Sequence, residues 1–287
     1  MYSYPLYRPP SESRSLIVQI TEGCSHNKCE FCYMYKDKKF RVKSDLEIER
    51  HIKELKSEYK NVERIFIADG DFLALNTERI LSILEMVKLN FSEVKRISAY
   101  AGPLNILRKT TDQLQLINKN GLDFLYLGVE SGSDNVLSLM NKGVTAMQMQ
   151  SVGVKIKESS FTLSCMIISG LGGSEFTEEH ALSSAKLISA IKPDYLSLLT
   201  LLIDEDTNLH KMLKEKKFFV LSASDVLKET LLFLENTNLE NTIFRSNHPS
   251  NYLNLKGVLG RDKDKLISQV REHIDENSFK SEHYRLL

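Results

Sequence analysis

The stretch SLIVQITEGCSHNKCEFCYMY, residues 15–35, joins an apolar run to three closely spaced cysteines. Residues 15–21 are rich in aliphatic and β-branched side chains, which predicts a buried β-strand. Cys24, Cys29 and Cys32 follow directly, so their thiols lie in a loop at the carboxyl end of this strand. In parallel α/β proteins, active sites form at that edge of the sheet.

The clustered cysteines indicate a metal site. A disulfide framework would spread its cysteines along the chain, whereas the fourth one, Cys165, lies far away in an apolar run and is expected to be a buried hydrophobic residue. Three thiolates suit an iron–sulfur cluster with one open iron, and they also suit zinc completed by His26. The spacing alone leaves both sites open.

Strands and helices alternate along most of the chain. Apolar runs predict six strands, at 15–21, 64–68, 96–101, 124–129, 163–169 and 195–202. Helical periodicity predicts helices at 44–59, 77–90, from Thr110 onward, at about 145–159 and at about 177–191. Two capping boxes support these helices, Ser44 with Glu47 and Thr110 with Gln113. Six near-continuous apolar strands indicate an α/β fold whose parallel sheet is buried on both faces.

The pattern changes after about residue 204, where helical segments predominate. We therefore predict three regions: an extended N-terminal segment (1–14), the α/β domain (15–203) and a mostly helical C-terminal extension (204–287). The extension contains a polar, turn-rich segment and is a candidate substrate lid.

The composition of the chain bears on whether nucleic acid or a membrane is a partner. Lysine and arginine total 38, as do aspartate and glutamate, so the formal net charge is zero and gives no strong signal for nucleic acid. The first ten residues lack the apolar core of a secretory signal, and no apolar run approaches the ~20 residues that span a bilayer. The expectation is a cytoplasmic protein without a membrane partner.

The cysteine loop resembles the signature of radical S-adenosylmethionine (SAM) proteins, in which three cysteines and an aromatic residue beside the last one, here Phe31, follow the first barrel strand. The common spacing has three residues between the first two cysteines, and this chain has four. The segment LYLGVESGSDNVLSLMNKG, residues 125–143, is similar to the fourth-strand segment of the branch with coproporphyrinogen dehydrogenases and methylthiotransferases. The resemblance covers roughly residues 15–203.

The resemblance implies a partial (β/α)6 radical SAM barrel. It implies that Cys24, Cys29 and Cys32 hold a 4Fe–4S cluster and that SAM binds the open iron. Reductive cleavage of SAM would then give a 5′-deoxyadenosyl radical, which abstracts hydrogen from an unknown small-molecule or peptide substrate. Since Cys165 alone is left over, a second all-cysteine cluster of the methylthiotransferase kind is not expected within these residues.

The same resemblance implies SAM contacts at the ends of the second and fourth strands. Asp69, Gly70 and Asp71 stand where many members carry a Gly-Gly-Glu stretch that meets the methionyl amine, for which a carboxylate is a suitable acceptor. An ordinary strand-end turn explains Asp71 equally well. Glu130 and Ser131 are expected to accept hydrogen bonds from the ribose hydroxyls or the amine.

Further cofactor contacts are implied by glycines and aromatic residues. Gly170 and Gly172 follow the fifth strand, where the family brings backbone close to the adenine, and a glycine permits that approach because it has no Cβ. Phe31 and Tyr33 flank Cys32 and are candidates to pack against the adenine or to cover the cluster. Aromatic residues beside a loop cysteine are also common apolar fillers.

The candidate substrate contacts lie in residues 245–252, predicted as a polar loop between helices. Arg245 is suited to bind a carboxylate or phosphate, His248 to transfer a proton, and Asn251 to form hydrogen bonds. A polar loop that satisfies its own backbone is an equally good explanation of each residue singly.

A basic run follows the cysteines and is a candidate docking site for an acidic flavodoxin or ferredoxin as electron donor. It opposes one acid, Asp37, with five basic residues: Lys36, Lys38, Lys39, Arg41 and Lys43. A solvated basic face is the more frequent explanation of such a run.

Two functions from different classes follow. The first is a radical SAM enzyme, acting on its substrate directly or passing its radical to a partner protein. The alternative is a non-catalytic zinc or iron–sulfur protein whose barrel binds a ligand. The ordered strand-end features favour the enzyme, because a structural metal site requires none of them.

Overall fold

The computed structural model describes residues 2–285. The chain forms two compact units that are interleaved in sequence. The first comprises the residues up to Asn27, Met34–Leu127 and Lys155–Leu163, and the second comprises Lys28–Tyr33, Gly128–Val154 and the chain from Ser164 onward. Within the part of the chain that the structure describes, no helix is both long and apolar enough to cross a membrane.

The N-terminal half contains six strands and four helices. They are β1 (Leu16–Gln19), β2 (Thr21–Glu22), β3 (Arg41–Val42), α1 (Asp45–Glu58), β4 (Arg64–Ala68), α2 (Thr77–Asn90), β5 (Arg96–Ala101), α3 (Pro103–Leu107), α4 (Thr111–Lys119) and β6 (Leu122–Glu130). Short 3-10 turns occur at Pro10–Glu12 and Phe72–Ala74.

Residues 131–285, the C-terminal part that the structure describes, contain six helices and four strands. They are α5 (Asp134–Leu139), α6 (Ala146–Glu158), β7 (Thr162–Ser169), α7 (Gly173–Ile191), β8 (Tyr195–Thr200), α8 (Asn208–Lys214), α9 (Ala223–Asn236), β9 (Ile243–Ser246), β10 (Leu255–Val258) and α10 (Lys263–Asp275). A last 3-10 turn covers Glu282–Arg285.

The first unit contains a parallel arrangement in the order β1-β4-β5-β6. Its register aligns Val18 with Ile67, Ile67 with Ala99, and Ala99 with Leu125. These four residues share one face of the sheet and are fully buried. The successive residues 65–68 of β4, which alternate between the faces, are fully buried as well, in agreement with the prediction of strands covered on both faces.

The N-terminal segment is fixed by a buried carboxylate. Glu12 is completely buried and accepts hydrogen bonds from Arg96 at 2.5 Å and from the Tyr126 hydroxyl at 2.6 Å. Because a buried charge without a partner is very costly, these contacts hold the segment against β5 and β6.

The second unit contains the order β7-β8-β9-β10, in which β7, β8 and β9 are parallel and β10 is antiparallel to β9. Within the described part of the predicted C-terminal extension, α8, α9 and α10 are helices, and the β9–β10 hairpin is an element that the sequence pattern did not predict. Residues 245–252 do not form a loop between helices, because Arg245 lies within β9 and the residues after Ser246 lead to β10. Strands β9 and β10 have only four residues each, and β10 contains Gly257. Their hydrophobic periodicity is therefore weak, and the sequence pattern missed them.

Candidate active site

The cysteine loop is closed at its base by a small ribbon. Strands β2 and β3 pair antiparallel, with Thr21 opposite Val42 and Glu22 opposite Arg41. Residues 23–40, which include three cysteines, form the connection between these strands. All four cysteines are thiols: Cys24, Cys29 and Cys32 are half-buried, and Cys165 is buried in β7 as predicted.

Asp69 anchors the start of this loop. It follows β4 in a left-handed conformation with φ of 64° and is fully buried. Its Oδ2 accepts hydrogen bonds from the Gly23 N–H at 2.9 Å and from Gln19 Nε2 at 3.0 Å, and lies 3.4 Å from Lys38 Nζ. Burial raises the pKa of the Asp69 carboxyl. Its Oδ1 has no hydrogen-bond partner among the described residues, which leaves one buried acceptor for a ligand.

Gly70 meets the loop at backbone distance. Its N–H donates to the Gly23 carbonyl at 3.0 Å. A Cβ at position 70 would lie 3.0 Å from Cys24 Cβ and 3.2 Å from the Gly23 carbonyl oxygen. Gly70 therefore lets the backbone that carries Cys24 pack directly on the end of β4.

Asp71 holds the residue after Cys24. It is almost completely buried and accepts hydrogen bonds from the Ser25 N–H at 3.2 Å, from the Ser25 hydroxyl and from the Asn105 amide. Burial is the main cause of a raised pKa for its carboxyl, although these donors oppose the shift. In this structure Asp71 positions the loop, which sequence reasoning did not predict.

In the second unit, the segment with Cys29 and Cys32 is fixed from two sides. The Glu30 N–H donates to the Met140 carbonyl, and the Leu209 N–H donates to the Glu30 carbonyl, both at 3.0 Å. Phe31 packs against an apolar cluster, defined by Val136, Met140, Leu171, Leu209 and Phe218. Phe31 thus acts as an apolar anchor. Tyr33 is half-buried, and burial together with Asp204 raises the pKa of its hydroxyl.

The end of β6 carries two polar residues in different environments. Glu130 has a positive φ of 66° and forms an ion pair with Lys142 at 2.9 Å. Ser131 is fully buried, and its Oγ lies 2.8 Å from His180 Nδ1. The sequence analysis did not predict that Lys142 pairs with Glu130 or that His180 lies beside Ser131.

The glycine turn after β7 is held by a distant carboxylate. Gly170 has a φ of 84°, and its N–H donates to Glu229 Oε1 at 2.7 Å, while the Thr177 hydroxyl donates to Glu229 Oε2 at 2.8 Å. Gly172 is the N-cap residue of α7. Glu229 is buried in α9, far along the chain from the turn, so its role was invisible in the sequence.

The candidate substrate residues differ in how many of their hydrogen-bonding groups are already used within the protein. Asn251 is buried and uses all its hydrogen-bonding positions within the second unit, with Thr200 N and Oγ1 as donors and with the Leu198 carbonyl and Ser246 Oγ as acceptors. His248 is half-buried, 2.8 Å from the Ser250 hydroxyl, and burial lowers the pKa of its imidazole. Arg245 is exposed and donates to the carbonyl of Phe244.

Three residues of the basic run at 36–43 make contacts within the protein. Lys38 donates to the carbonyls of Ser3 and Pro5 as well as meeting Asp69. Lys43 is buried and donates to Gln19 Oε1 at 3.1 Å, and burial lowers the pKa of its ammonium.

Arg41, the third of these residues, bridges Glu22 and Glu47. The run is therefore a poor docking surface. Three of its five charges already hold the base of the cysteine loop in place.

The donor chemistry of the loop fits a cluster. In residues 2–285, no three His, Cys, Asp or Glu side chains are grouped closely enough to hold a metal ion as they stand. The candidate ligands are three half-buried thiols, and thiolates are the usual ligands of iron–sulfur clusters. The unpartnered Oδ1 of Asp69 adds a buried acceptor near the start of the same loop.

The family model for the Radical SAM superfamily matches residues 18–188. The chain belongs to the radical SAM superfamily. The match covers more than half of the chain and lies inside the predicted α/β domain. It confirms the family that the sequence resembles, and the cofactors of that superfamily are a 4Fe–4S cluster and SAM.

This radical SAM chain is similar in sequence to a methylthiotransferase, a member of the branch that its sequence resembles. It is 28% identical over 199 residues to tRNA-2-methylthio-N(6)-dimethylallyladenosine synthase of Bordetella pertussis, covering 64% of this chain and 42% of the relative. Across the curated relatives it matches, the chain spans between 20% and 42% of their length.

Solved structures confirm the barrel fold. Methylornithine synthase superposes with a TM-score of 0.54 at 16% identity, covering 94% of this chain and 83% of that one. Coproporphyrinogen III oxidase of Escherichia coli gives a TM-score of 0.55 at 20% identity, covering 77% of this chain and 52% of that one. At these identities the likeness concerns the fold alone.

Proposed function

We propose that this chain is a radical SAM enzyme in which Cys24, Cys29 and Cys32 hold the 4Fe–4S cluster. The observation that carries the proposal is the cysteine loop: three half-buried thiols within one short segment that side-chain and backbone hydrogen bonds hold in place. When bound, the cluster and SAM supply reductive cleavage of the sulfonium bond and a 5′-deoxyadenosyl radical that abstracts hydrogen from a substrate.

The chain's own residues position this chemistry. Asp69 and Asp71 fix Gly23 and Ser25, the neighbours of Cys24, so that this thiol is presented by a rigid backbone. The hydrogen bonds of Glu30 do the same for the segment with Cys29 and Cys32. Preorganised ligands lose little conformational entropy when the cluster binds.

The residues proposed to contact SAM lie at strand ends. In the first unit they are Asp69, Gly70 and Asp71, of which Asp69 retains an unpartnered acceptor. In the second unit, Glu130 and Ser131 end β6, and the glycine turn after β7 presents backbone without side chains. Tyr33 is retained as a candidate cover for the cluster.

The substrate remains a proposal at the level of class, a small molecule or peptide. Among the candidate contacts, Arg245 and His248 keep hydrogen-bonding capacity toward a substrate. Burial lowers the pKa of the His248 imidazole, which favours its neutral form, and a neutral imidazole can accept a proton. A flavodoxin or ferredoxin is the proposed electron donor.

The test is electron paramagnetic resonance of anaerobically reconstituted, dithionite-reduced protein, with and without SAM. We expect a reduced 4Fe–4S signal that SAM perturbs, together with formation of 5′-deoxyadenosine. Iron and zinc are measured on the same samples. Stoichiometric zinc without a cluster after reconstitution would support the alternative of a structural metal protein and would contradict the proposal.

A matched set of variants assigns the ligands. Cys24→Ala, Cys29→Ala and Cys32→Ala are each expected to lose the cluster signal. Cys165→Ala is the control, because this thiol is buried in β7 and is expected to keep full iron content. Loss of iron in the Cys165 variant alone would refute the assignment.

A further inference from the structure

A basic and apolar surface lies on the second unit, in residues 211–220. It consists of four exposed lysines, Lys211, Lys214, Lys216 and Lys217, followed by exposed Phe219 and Val220. We name these six residues the 211–220 patch. Among the large apolar side chains that the structure describes as exposed, Phe219 and Val220 are the only sequence neighbours, at 58% and 52% exposure.

Most of the charge of this patch is available to a partner. Glu215 is the single acidic residue within the range 211–220, and it pairs with Lys217 at 2.7 Å. Lys211 has a long contact of 3.4 Å to Asn208. Adjacent exposed apolar side chains surrounded by like charges are typical of a transient protein interface, with an apolar centre and a charged rim.

The patch is continuous in sequence with residues that contact the segment of Cys29 and Cys32. Its helix, α8, contributes Leu209, whose N–H bonds the Glu30 carbonyl at 3.0 Å. Phe218 precedes Phe219 and belongs to the same apolar cluster against which Phe31 packs. Leu209 and Phe218, which flank most of the patch in sequence, therefore connect it to the segment with two of the proposed cluster ligands.

The patch is also tied to the glycine turn after β7. The Ser174 N–H donates to the Phe219 carbonyl at 2.9 Å. A Cβ on Gly173, whose φ is 58°, would lie 2.8 Å from the same oxygen. The backbone at Phe219 is thus held firmly, so its side chain is exposed by a rigid segment and not by a frayed one.

We propose that the 211–220 patch docks an acidic flavodoxin that delivers the electron to the cluster. Charge complementarity favours an acidic protein, and lysines on a rim speed its encounter. Phe219 is the single aromatic residue of the patch and could stack on only one base, and the patch contains no arginine, which makes RNA a poorer match. This inference rests on the proposed function and replaces the basic run at 36–43 as the docking surface.

The electron count of the transfer is simple. One electron leaves the anionic flavin hydroquinone of flavodoxin, which becomes the neutral semiquinone. The same electron enters the iron–sulfur cluster, and no proton is required. The chain contributes the docking geometry, since close approach of the donor to the Cys29–Cys32 segment sets the rate.

The first test measures binding without turnover. Reconstituted wild-type protein and the variants K211E/K214E and F219S are titrated with oxidised bacterial flavodoxin by isothermal calorimetry. The control is K256E/K265E, which makes the same change in net charge at exposed lysines elsewhere in the second unit. We expect about tenfold weaker binding for K211E/K214E, several-fold weaker binding for F219S and less than twofold change in the control.

The second test separates docking from cluster chemistry. Cluster reduction is followed with flavodoxin hydroquinone and with dithionite. K211E/K214E should slow reduction by flavodoxin about tenfold and leave reduction by dithionite unchanged. If reconstituted wild-type protein gives no reduced cluster signal with dithionite, the proposed function itself is contradicted. If wild type and K211E/K214E bind flavodoxin equally well, only the docking proposal is contradicted.

Other occupants are checked with the same variants. Binding of a tRNA transcript or of anionic phosphatidylglycerol vesicles that K211E/K214E abolishes, with flavodoxin affinity unchanged, would assign the patch to that ligand. Sedimentation velocity tests self-association, and a dimer that F219S dissolves would assign it to a second copy of the chain. Each of these results overturns the proposal.

Discussion

Asp71 accepts hydrogen bonds from both the backbone N–H and the hydroxyl of Ser25, the residue directly after Cys24. A carboxylate at the end of β4 thereby determines where the first cysteine of the loop lies. The bond is made between residues that are 46 positions apart in the chain. The position of Ser25, beside Cys24, therefore depends on a contact with the end of β4 that is distant in sequence.

We expect Asp71→Asn to destabilise the protein. An asparagine would turn an amide N–H₂ toward donors that now meet a carboxylate, and a buried unsatisfied polar group costs about 1–3 kcal/mol. Urea denaturation of the apo-protein measures the free energy of unfolding. Asp112→Asn is the control, because Asp112 is exposed, and it should change stability by about 0.5 kcal/mol or less. Equal stabilities of the two variants would show that Asp71 does not hold the loop.

Gly70→Ala should push the backbone of Cys24 away from β4. The new methyl group would approach Cys24 Cβ to 3.0 Å, which is closer than side chains pack. We expect a loss of about 1–3 kcal/mol in the free energy of unfolding and a lower iron content after reconstitution. Iron assays combined with circular dichroism separate loop displacement from general unfolding. Full iron content in a folded variant would contradict this prediction.

Lys38 is expected to behave as a structural residue. Lys38→Ala removes the ammonium that lies beside the buried Asp69 carboxylate, and breaking such a buried pair costs roughly 2–4 kcal/mol. Lys39→Ala is the matched control, because Lys39 is exposed and its loss should be nearly neutral. Chemical denaturation measures the free energy of unfolding of both variants. Similar, small effects would restore the interpretation of the run as a solvated basic face.

Glu229 should position the glycine turn for SAM. Glu229→Ala leaves the Gly170 N–H without its acceptor, so we expect a loss of about 1–3 kcal/mol in stability and several-fold weaker SAM binding. Glu229→Gln keeps an oxygen for Gly170 and should recover most of both. Glu235→Ala on the same helix controls for helix propensity. Calorimetric SAM affinities that are equal in all four proteins would rule out this role.

His51 should make stability depend on pH. Its imidazole is buried, accepts from the Gln19 N–H at 3.2 Å, and has a pKa lowered to about 4 by burial and by Lys43. The unfolded chain has a pKa near 6.5, so protonation favours unfolding and stability falls as the pH drops from 6.5 toward 4. We expect this residue to contribute a loss of about 2 kcal/mol between pH 7.5 and pH 5.

Urea denaturation across this pH range measures the effect. His51→Gln should flatten the profile, while His283→Gln, at an exposed site, should leave it unchanged. A profile that is identical in wild type and His51→Gln would show that His51 does not control acid stability.

Regular elements with strong periodicity were predictable. Strands 64–68 and 96–101 and helix 77–90 have the predicted bounds. The capping boxes of Ser44 with Glu47 and of Thr110 with Gln113 are both formed. These features depend on residues three or four positions apart, so the local sequence contains all the information that they need.

Short elements and long-range partners were not predictable. Helices α3, α5 and α8 have five to seven residues, too few to show a period. The basic run looked like one surface, yet folding brings Lys38 to Asp69 and buries Lys43. A count of charges along the chain cannot distinguish a lysine that binds carbonyls from one that faces water.

The sequence by itself determined the alternation of strands and helices, the class of the chain and the position of its three clustered cysteines, because periodicity and motif spacing are local properties. Only the tertiary structure decided which carboxylates hold the cysteine loop and the glycine turn. It also decided which lysines remain exposed. Asp71 meets Ser25, and Glu229 meets Gly170, across 46 and 59 positions, and such contacts arise from the packing of strand ends and helices.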